Sequence, residues 1–154
     1  MKSTILVLSA ICAILLLFSF SVRYVTALEY LGTELNAGYY YLDHGKYSKA
    51  IYCFNKSLQS YPENSDALIG KATVLIKLQM YDMAIPYLDK VLKTYPHNFN
   101  AIYGKAVALS ALGKNQEALS YYKQIQKMAP NFPLTEKDLK IVHSQYTGSV
   151  SRAN

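Results

Sequence analysis

Tryptophan is absent from this chain, cysteine occurs twice, proline five times and glycine seven times in 154 residues. Beyond residue 30 Cys53 is the single thiol, so the body of the chain cannot close an internal disulfide. It reads instead as a small buried apolar residue. The glycines stand singly, at Gly32, Gly38, Gly45, Gly70, Gly104, Gly113 and Gly148, and none belongs to a phosphate-cradling loop. His44, His97 and His143 are far apart, and no His-x3-His or Cys-x2-Cys spacing offers a metal site. No convergent set of titratable groups is present, so neither catalysis, a metal, a cofactor nor a small-molecule substrate is expected. Sixteen Lys and Arg against ten Asp and Glu leave a net charge of +6, yet no two basic residues are adjacent. Scattered lysines describe solvated helix faces, and nucleic acid is not expected as a partner.

Charge is also missing from one long stretch. Ser3–Val22 holds none, and includes Ile5, Leu6, Val7, Leu8, Ile14, Leu15, Leu16, Leu17, Phe18 and Phe20. As a helix, twenty residues would measure about 30 Å, the thickness of a bilayer core. Arg23 and Tyr24 follow, as residues at a membrane interface do. We therefore expect residues 1–30 to be a transmembrane anchor with a linker. A cleaved signal peptide is the rival, with Ala27 or Ser21 before the cut, but the apolar stretch exceeds the usual signal core. The N-terminal amine and Lys2 against Arg23 favour an N-terminus inside, with the rest of the chain on the extracytoplasmic side.

What the remainder has is a period. Shifted by thirty-four residues, Pro62, Pro96 and Pro130 align. So do Ala50, Ala84 and Ala118, and Gly38, Ala72 and Ala106. Such a spacing marks a stacked repeat. Within the copy that begins at Phe99, Ile102, Ala106 and Leu109 recur at helical spacing. Gly113 stops that helix, and Asn115 offers a side-chain cap to a second one, whose apolar face is Ala118, Leu119, Tyr122, Ile125 and Met128. Pro130 ends the unit. The small residues let backbones approach, and Tyr41, Leu75 and Leu109, then Phe54, Leu88 and Tyr122, fill the space beside them. In the middle copy, Asp82 is the expected cap of the second helix, which puts Pro86 at the edge of its first turn, where a missing donor costs least.

This pattern resembles the tetratricopeptide repeat (TPR), whose form is Trp-x2-Leu-Gly-x2-Tyr, then Ala-x3-Phe, then Pro. The copies read Glu34-x2-Ala37-Gly38-x2-Tyr41, Ala50-x3-Phe54, Pro62; Leu68-x2-Lys71-Ala72-x2-Leu75, Ala84-x3-Leu88, Pro96; and Ile102-x2-Lys105-Ala106-x2-Leu109, Ala118-x3-Tyr122, Pro130. The expected fold is an all-α solenoid of three helix-turn-helix units, 31–64, 65–98 and 99–132, behind one N-terminal transmembrane helix. A capping helix is expected over 133–147. Thr135 would cap it, with Asp138 three residues on in the manner of a capping box and Leu134 stapled to Leu139. Residues 148–154 are expected to be a disordered tail.

Fifteen residues are tyrosine. Tyr41 and Tyr122, and Tyr61 and Tyr95 before the closing prolines, are core by position; Tyr39 and Tyr103 lie off the face of small residues. The resemblance implies a concave surface lined by first helices, at which a protein partner, as an extended peptide or a helix, binds. It would be built from Leu35, Tyr39, Leu42 and Asp43, then Asp66, Ile69, Thr73, Ile76 and Lys77, then Asn100, Tyr103, Val107 and Ser110. Members that clamp a chaperone's acidic C-terminus use Lys and Asn where this chain has Leu35, Tyr39 and Gly70, so that partner is not expected. The resulting reading is a membrane-anchored protein-interaction module. The alternative is an exported soluble module that assists assembly of an envelope complex.

Overall fold

The structure, a computed structural model, describes residues 14–15, 32–135, 138 and 140. The described residues are helices and short turns, with no strand among them. Helix α1 covers residues 32–43. It is followed by α2 (Tyr47–Ser60), α3 (Ser65–Lys77), α4 (Tyr81–Thr94), α5 (Phe99–Ala111) and α6 (Asn115–Met128). The three pairs α1/α2, α3/α4 and α5/α6 stack side by side, each second helix packing on the first helix of the next unit. The described residues thus form an all-helical solenoid of three units. The anchor stretch 3–22 falls outside the described residues except at Ile14 and Leu15. Those two are helical, and 64% and 61% exposed. No helix among the described residues is long and apolar enough to cross a membrane. Of the capping segment beyond residue 135, Asp138 and Lys140 are described, and both are helical. The tail 148–154 lies outside the described residues.

Small residues set the helix spacing. Ala50, Ala72, Ala84, Ala106 and Ala118 have no exposed surface. Phe54, Leu88 and Tyr122, one repeat apart, are buried beside them, each at the centre of its own apolar cluster. Phe54 explains two glycines. Its ring lies between Gly38 of its own unit and Gly70 of the next, where an added Cβ would sit 2.6 and 2.4 Å from ring carbons. One repeat on, the smaller Leu88 faces Gly104, where an added Cβ would sit 3.3 Å from Leu88 Cδ2, close but without the overlap met at Phe54. Where the seam filler is aromatic, the facing helix has no room for a side chain.

The turns inside the units are also repeated. Gly45, Gln79 and Gly113, at thirty-four-residue spacing, have φ of 67°, 61° and 75°. The next amide donates back across the turn in each unit: Lys46 to Tyr41 at 2.8 Å, Met80 to Leu75 at 2.8 Å and Lys114 to Leu109 at 2.9 Å. This is a Schellman termination, which requires a left-handed residue. The same residue that completes it is also the N-cap of the next helix: Lys46, Met80 and Lys114, without a side-chain cap hydrogen bond. That double duty corrects two expectations. Asp82 and Asn115 are not caps but lie inside the first turns of α4 and α6. Pro86 falls in the interior of α4 rather than at the edge of its first turn, so its missing N–H leaves a gap in the helical ladder. The working side-chain caps are Asn64 and Asn98, which accept from Ala67 N at 2.9 Å and Ala101 N at 3.0 Å.

Gln79 is the non-glycine residue of the three left-handed positions, and its Cβ opposes the adjoining carbonyl there. Gln79→Gly is expected to raise stability by about 1 kcal/mol, as the relieved strain exceeds the added freedom of the unfolded chain. Urea titration followed by circular dichroism checks it. A destabilised variant would show that Gln79's side chain contributes more than its backbone costs.

Candidate functional site: the inner face of the solenoid

First helices form the inner layer. Helices α3 and α5 touch directly, whereas α2, α4 and α6 do not approach one another. A stack whose first helices touch while its second helices diverge curves toward the first helices. The proposed strip therefore lies along the concave side, and its thirteen residues divide into three groups.

Two of them are core. Ile69 is 7% and Ser110 6% exposed, and Ile69 packs with Leu68, Ala72, Leu88 and Ala101. They form the floor and offer little surface of their own. The two tyrosines are held by the chain itself. Tyr39 sets its ring edge-on to Phe54, 5.2 Å between centroids, and its hydroxyl donates to the Asp66 carbonyl at 2.8 Å. This bond ties the first unit to the start of α3. Burial, then the neighbouring Asp66 charge, pushes the Tyr39 phenol up to about 12. Tyr103 packs edge-on to Phe132, 5.2 Å between centroids, and Phe132 also meets Phe99 at 4.9 Å. Burial, then Asp138, raises the Tyr103 phenol. Part of the aromatic surface foreseen for a partner is thus taken up by Phe132, at the end of the third unit.

The accessible part of the strip is what remains. Asp43, Asp66, Lys77 and Asn100 are exposed, and Leu35, Leu42, Thr73, Ile76 and Val107 are half-buried. Thr73 spends its hydroxyl on the Ile69 carbonyl at 2.8 Å, which leaves its methyl outward. Gly104 lies between these rows and is half-buried, whereas Gly70 is buried under the Phe54 ring. The accessible strip is apolar along its middle, with Asp43, Asp66 and Lys77 as its charges. No group of three His, Cys, Asp or Glu that could hold a metal ion occurs among the described residues.

Two tyrosines expected in the core are not there. Tyr61 is 39% and Tyr95 53% exposed. Each is the C-cap of a second helix, with φ of −137° and −125°, and this extended turn swings the ring out of the helix stack. Tyr122, by contrast, is fully buried and donates its hydroxyl to Asp138 Oδ1 of the capping segment. Asp138 Oδ2 in turn accepts from Thr135 N at 3.1 Å and Thr135 Oγ1 at 2.6 Å, and the Asp138 amide donates to Thr135 Oγ1 at 3.3 Å. Asp138 lies one further repeat length after Gly70 and Gly104. The seam that pairs Phe54 with Gly70 and Leu88 with Gly104 thus ends on Tyr122 with a carboxylate. The spacing of Gly70, Gly104 and Asp138 carries that equivalence past Pro130, where the three repeat copies end.

Solved structures of other proteins share this architecture. The first TPR of Spaghetti (RPAP3), bound to the HSP90 peptide SRMEEVD, is 21% identical with a TM-score of 0.68, over 77% of this chain and 94% of that one. The second TPR domain of the human RPAP3 protein, in complex with the HSP70 peptide SGPTIEEVD, is 19% identical with a TM-score of 0.63, over 75% and 93%. MamA from Desulfovibrio magneticus RS-1 is 23% identical with a TM-score of 0.61, over 65% and 56%. No curated protein matches the chain in sequence. A family model described as "Anaphase-promoting complex, cyclosome, subunit 3" (ANAPC3) matches residues 43–125. That match covers more than half of the sequence, and with the repeat register and the stacked helix pairs it places the chain in that family, which is of tetratricopeptide-repeat type.

Proposed function

We propose that this chain is a membrane-anchored protein-interaction module that holds an extended peptide or a partner helix against its inner face. The carrying observation is the open strip on the touching first helices, apolar at its centre and accessible from Leu42 to Val107. Similar folds have been captured with peptides, which supports the class of partner. Those two peptides end in EEVD, whereas the strip here presents Asp43 and Asp66 against Lys77. Like charges facing one another suppress a partner. An apolar segment without an acidic end suits the strip better. The anchor would be residues 3–22, with the N-terminus inside and the repeats on the extracytoplasmic side. Exposed Ile14 and Leu15 on a helix support it, since apolar side chains facing outward are stable in lipid. A mature N-terminus at Val22 or Leu28, read by mass spectrometry, would overturn the anchor and favour the exported soluble module.

The inner face is tested by Thr73→Lys combined with Val107→Lys. Both side chains are half-buried at the centre of the strip, and lysine can carry its charge out to water along an apolar stem. Capture of partners by the full chain from solubilised membranes is expected to fall about tenfold or more, with helical content unchanged. Undiminished capture would show that partners use another face. Tyr39 and Tyr103 are unsuited to this test, because both hold the solenoid together.

A further inference from the structure

In each unit the helices are antiparallel, so the starts of first helices and the ends of second helices share one edge of the solenoid. The chain enters α1 on this edge, from the uncharged stretch 3–22 through residues 23–31. Those nine linking residues reach at most about 30 Å when fully extended. The same edge exposes Tyr61 and Tyr95 one repeat apart, with Met128 beyond them. Lys93 and Lys127, also one repeat apart, occupy the last turns of α4 and α6 and are exposed. Of the acids on this edge, Glu63 is engaged by Lys90 at 2.9 Å, and Asp66 lies in the first turn of α3. Beside each tyrosine is a shallow cleft in the turn between units. One of about 500 Å³ is lined by Tyr95, Pro96 and His97, and one of about 430 Å³ by Tyr61, Pro62 and Asn64.

Tyrosine and lysine together have a specific solvent. The tyrosine ring favours the boundary between hydrocarbon and water, where its hydroxyl stays wet. Lysines near an anionic leaflet are each attracted by about 1 kcal/mol. From the chemistry of this edge and the place where the apolar stretch joins it, we infer that the edge carrying Tyr61 and Tyr95 rests on the headgroup layer of an anionic bilayer. The inference builds on the anchored reading and gives it an orientation. The units would stand with their inter-unit turns on the membrane and their inner face opening sideways. The opposite edge, which exposes Leu78 and Met80, is about 18 Å farther away, the length of a first helix.

The absence of tryptophan makes the test direct, because one introduced indole reports from one place. Tyr61→Trp, Tyr95→Trp and, on the far edge, Leu78→Trp are made separately in the full chain. Each is reconstituted into vesicles of phosphatidylglycerol and phosphatidylcholine, with and without bromine on the acyl chains near the headgroup. Flotation is measured on the same samples. Brominated lipid is expected to lower emission from Tyr61→Trp and Tyr95→Trp about twofold or more, and to leave Leu78→Trp unchanged. Flotation without quenching at either tyrosine position, or equal quenching at all three, overturns the orientation and leaves the anchor standing. Failure to float with vesicles overturns both.

Discussion

Phe54→Ala is expected to cost about 3–5 kcal/mol, a large part of the stability of a domain this size. Phe54 is fully buried and is shared by two units, with Gly38 on one side and Gly70 on the other. Both facing positions are glycine, so neither facing helix offers a side chain at that point to fill the space that the ring vacates. Repacking is left to the side chains around the ring, such as Tyr39, and a cavity term adds to the lost transfer free energy. The complementary overpacking test is Gly70→Ala, which drives a methyl to 2.4 Å from the ring. Overpacking costs about 1–3 kcal/mol. Phe54→Leu in the same molecule should return much of it, because beside leucine at the equivalent position, Leu88, a Cβ on Gly104 would sit at 3.3 Å rather than 2.4 Å. Urea denaturation of the three variants, followed by helical signal, decides the matter. If Gly70→Ala is no worse alone than with Phe54→Leu, the seam is not set by the ring.

Tyr122→Phe is the second large effect, expected at about 2 kcal/mol. The change keeps the ring and removes one hydroxyl. Asp138 is 4% exposed, and without Tyr122 its Oδ1 loses a donor while Oδ2 keeps Thr135. A buried charged acceptor left without its partner costs more than a neutral one. The loss should also appear as exposure of Phe99 and Tyr103, because Phe132, on the segment that leads to Asp138, covers both. Alkaline pH acts at the same place. Tyr122 is raised by burial and then by Asp138, Tyr103 by burial and then by Asp138, and Tyr39 by burial and then by Asp66 to about 12. A folded-state pKa above the unfolded value near 10 means that these phenols stabilise the fold while neutral. That contribution is whole below about pH 10 and is lost as pH rises through the folded values. Stability is therefore expected to be level in this respect from neutral pH to about pH 9 and to fall above about pH 10, less steeply in Tyr122→Phe. Urea midpoints across that range check it, and a fall confined to the acid side would refute it.

Most of the fold is legible in the residues because a repeat states its rules three times. The alignments of Pro62, Pro96 and Pro130, and of Ala50, Ala84 and Ala118, survive drift at any one position. What misled was local chemistry read in isolation. Asp82 and Asn115 have the side chains of caps, but the turn before them places Met80 and Lys114 at the cap positions. Asn64 and Asn98, which closed the sequence units, are in fact the caps that open α3 and α5. Register alone puts the candidate strip on the first helices. Which of its members remain for a partner is not set by register, because Tyr39's hydroxyl finds Asp66 and Tyr103's ring finds Phe132 only when units and tail are stacked.

The sequence by itself determined the period, the number of units, the helix pairs and the small residues at their crossings. These follow from contacts within one unit or between neighbours, and each unit writes them separately. Tertiary structure alone decided the exposure of Tyr61 and Tyr95, the size of the space at Gly70, and the pairing of Tyr122 with Asp138. Each depends on the direction in which a side chain leaves a turn or a seam. That direction is set by backbone angles and by helices that arrive from other units, which no local pattern records.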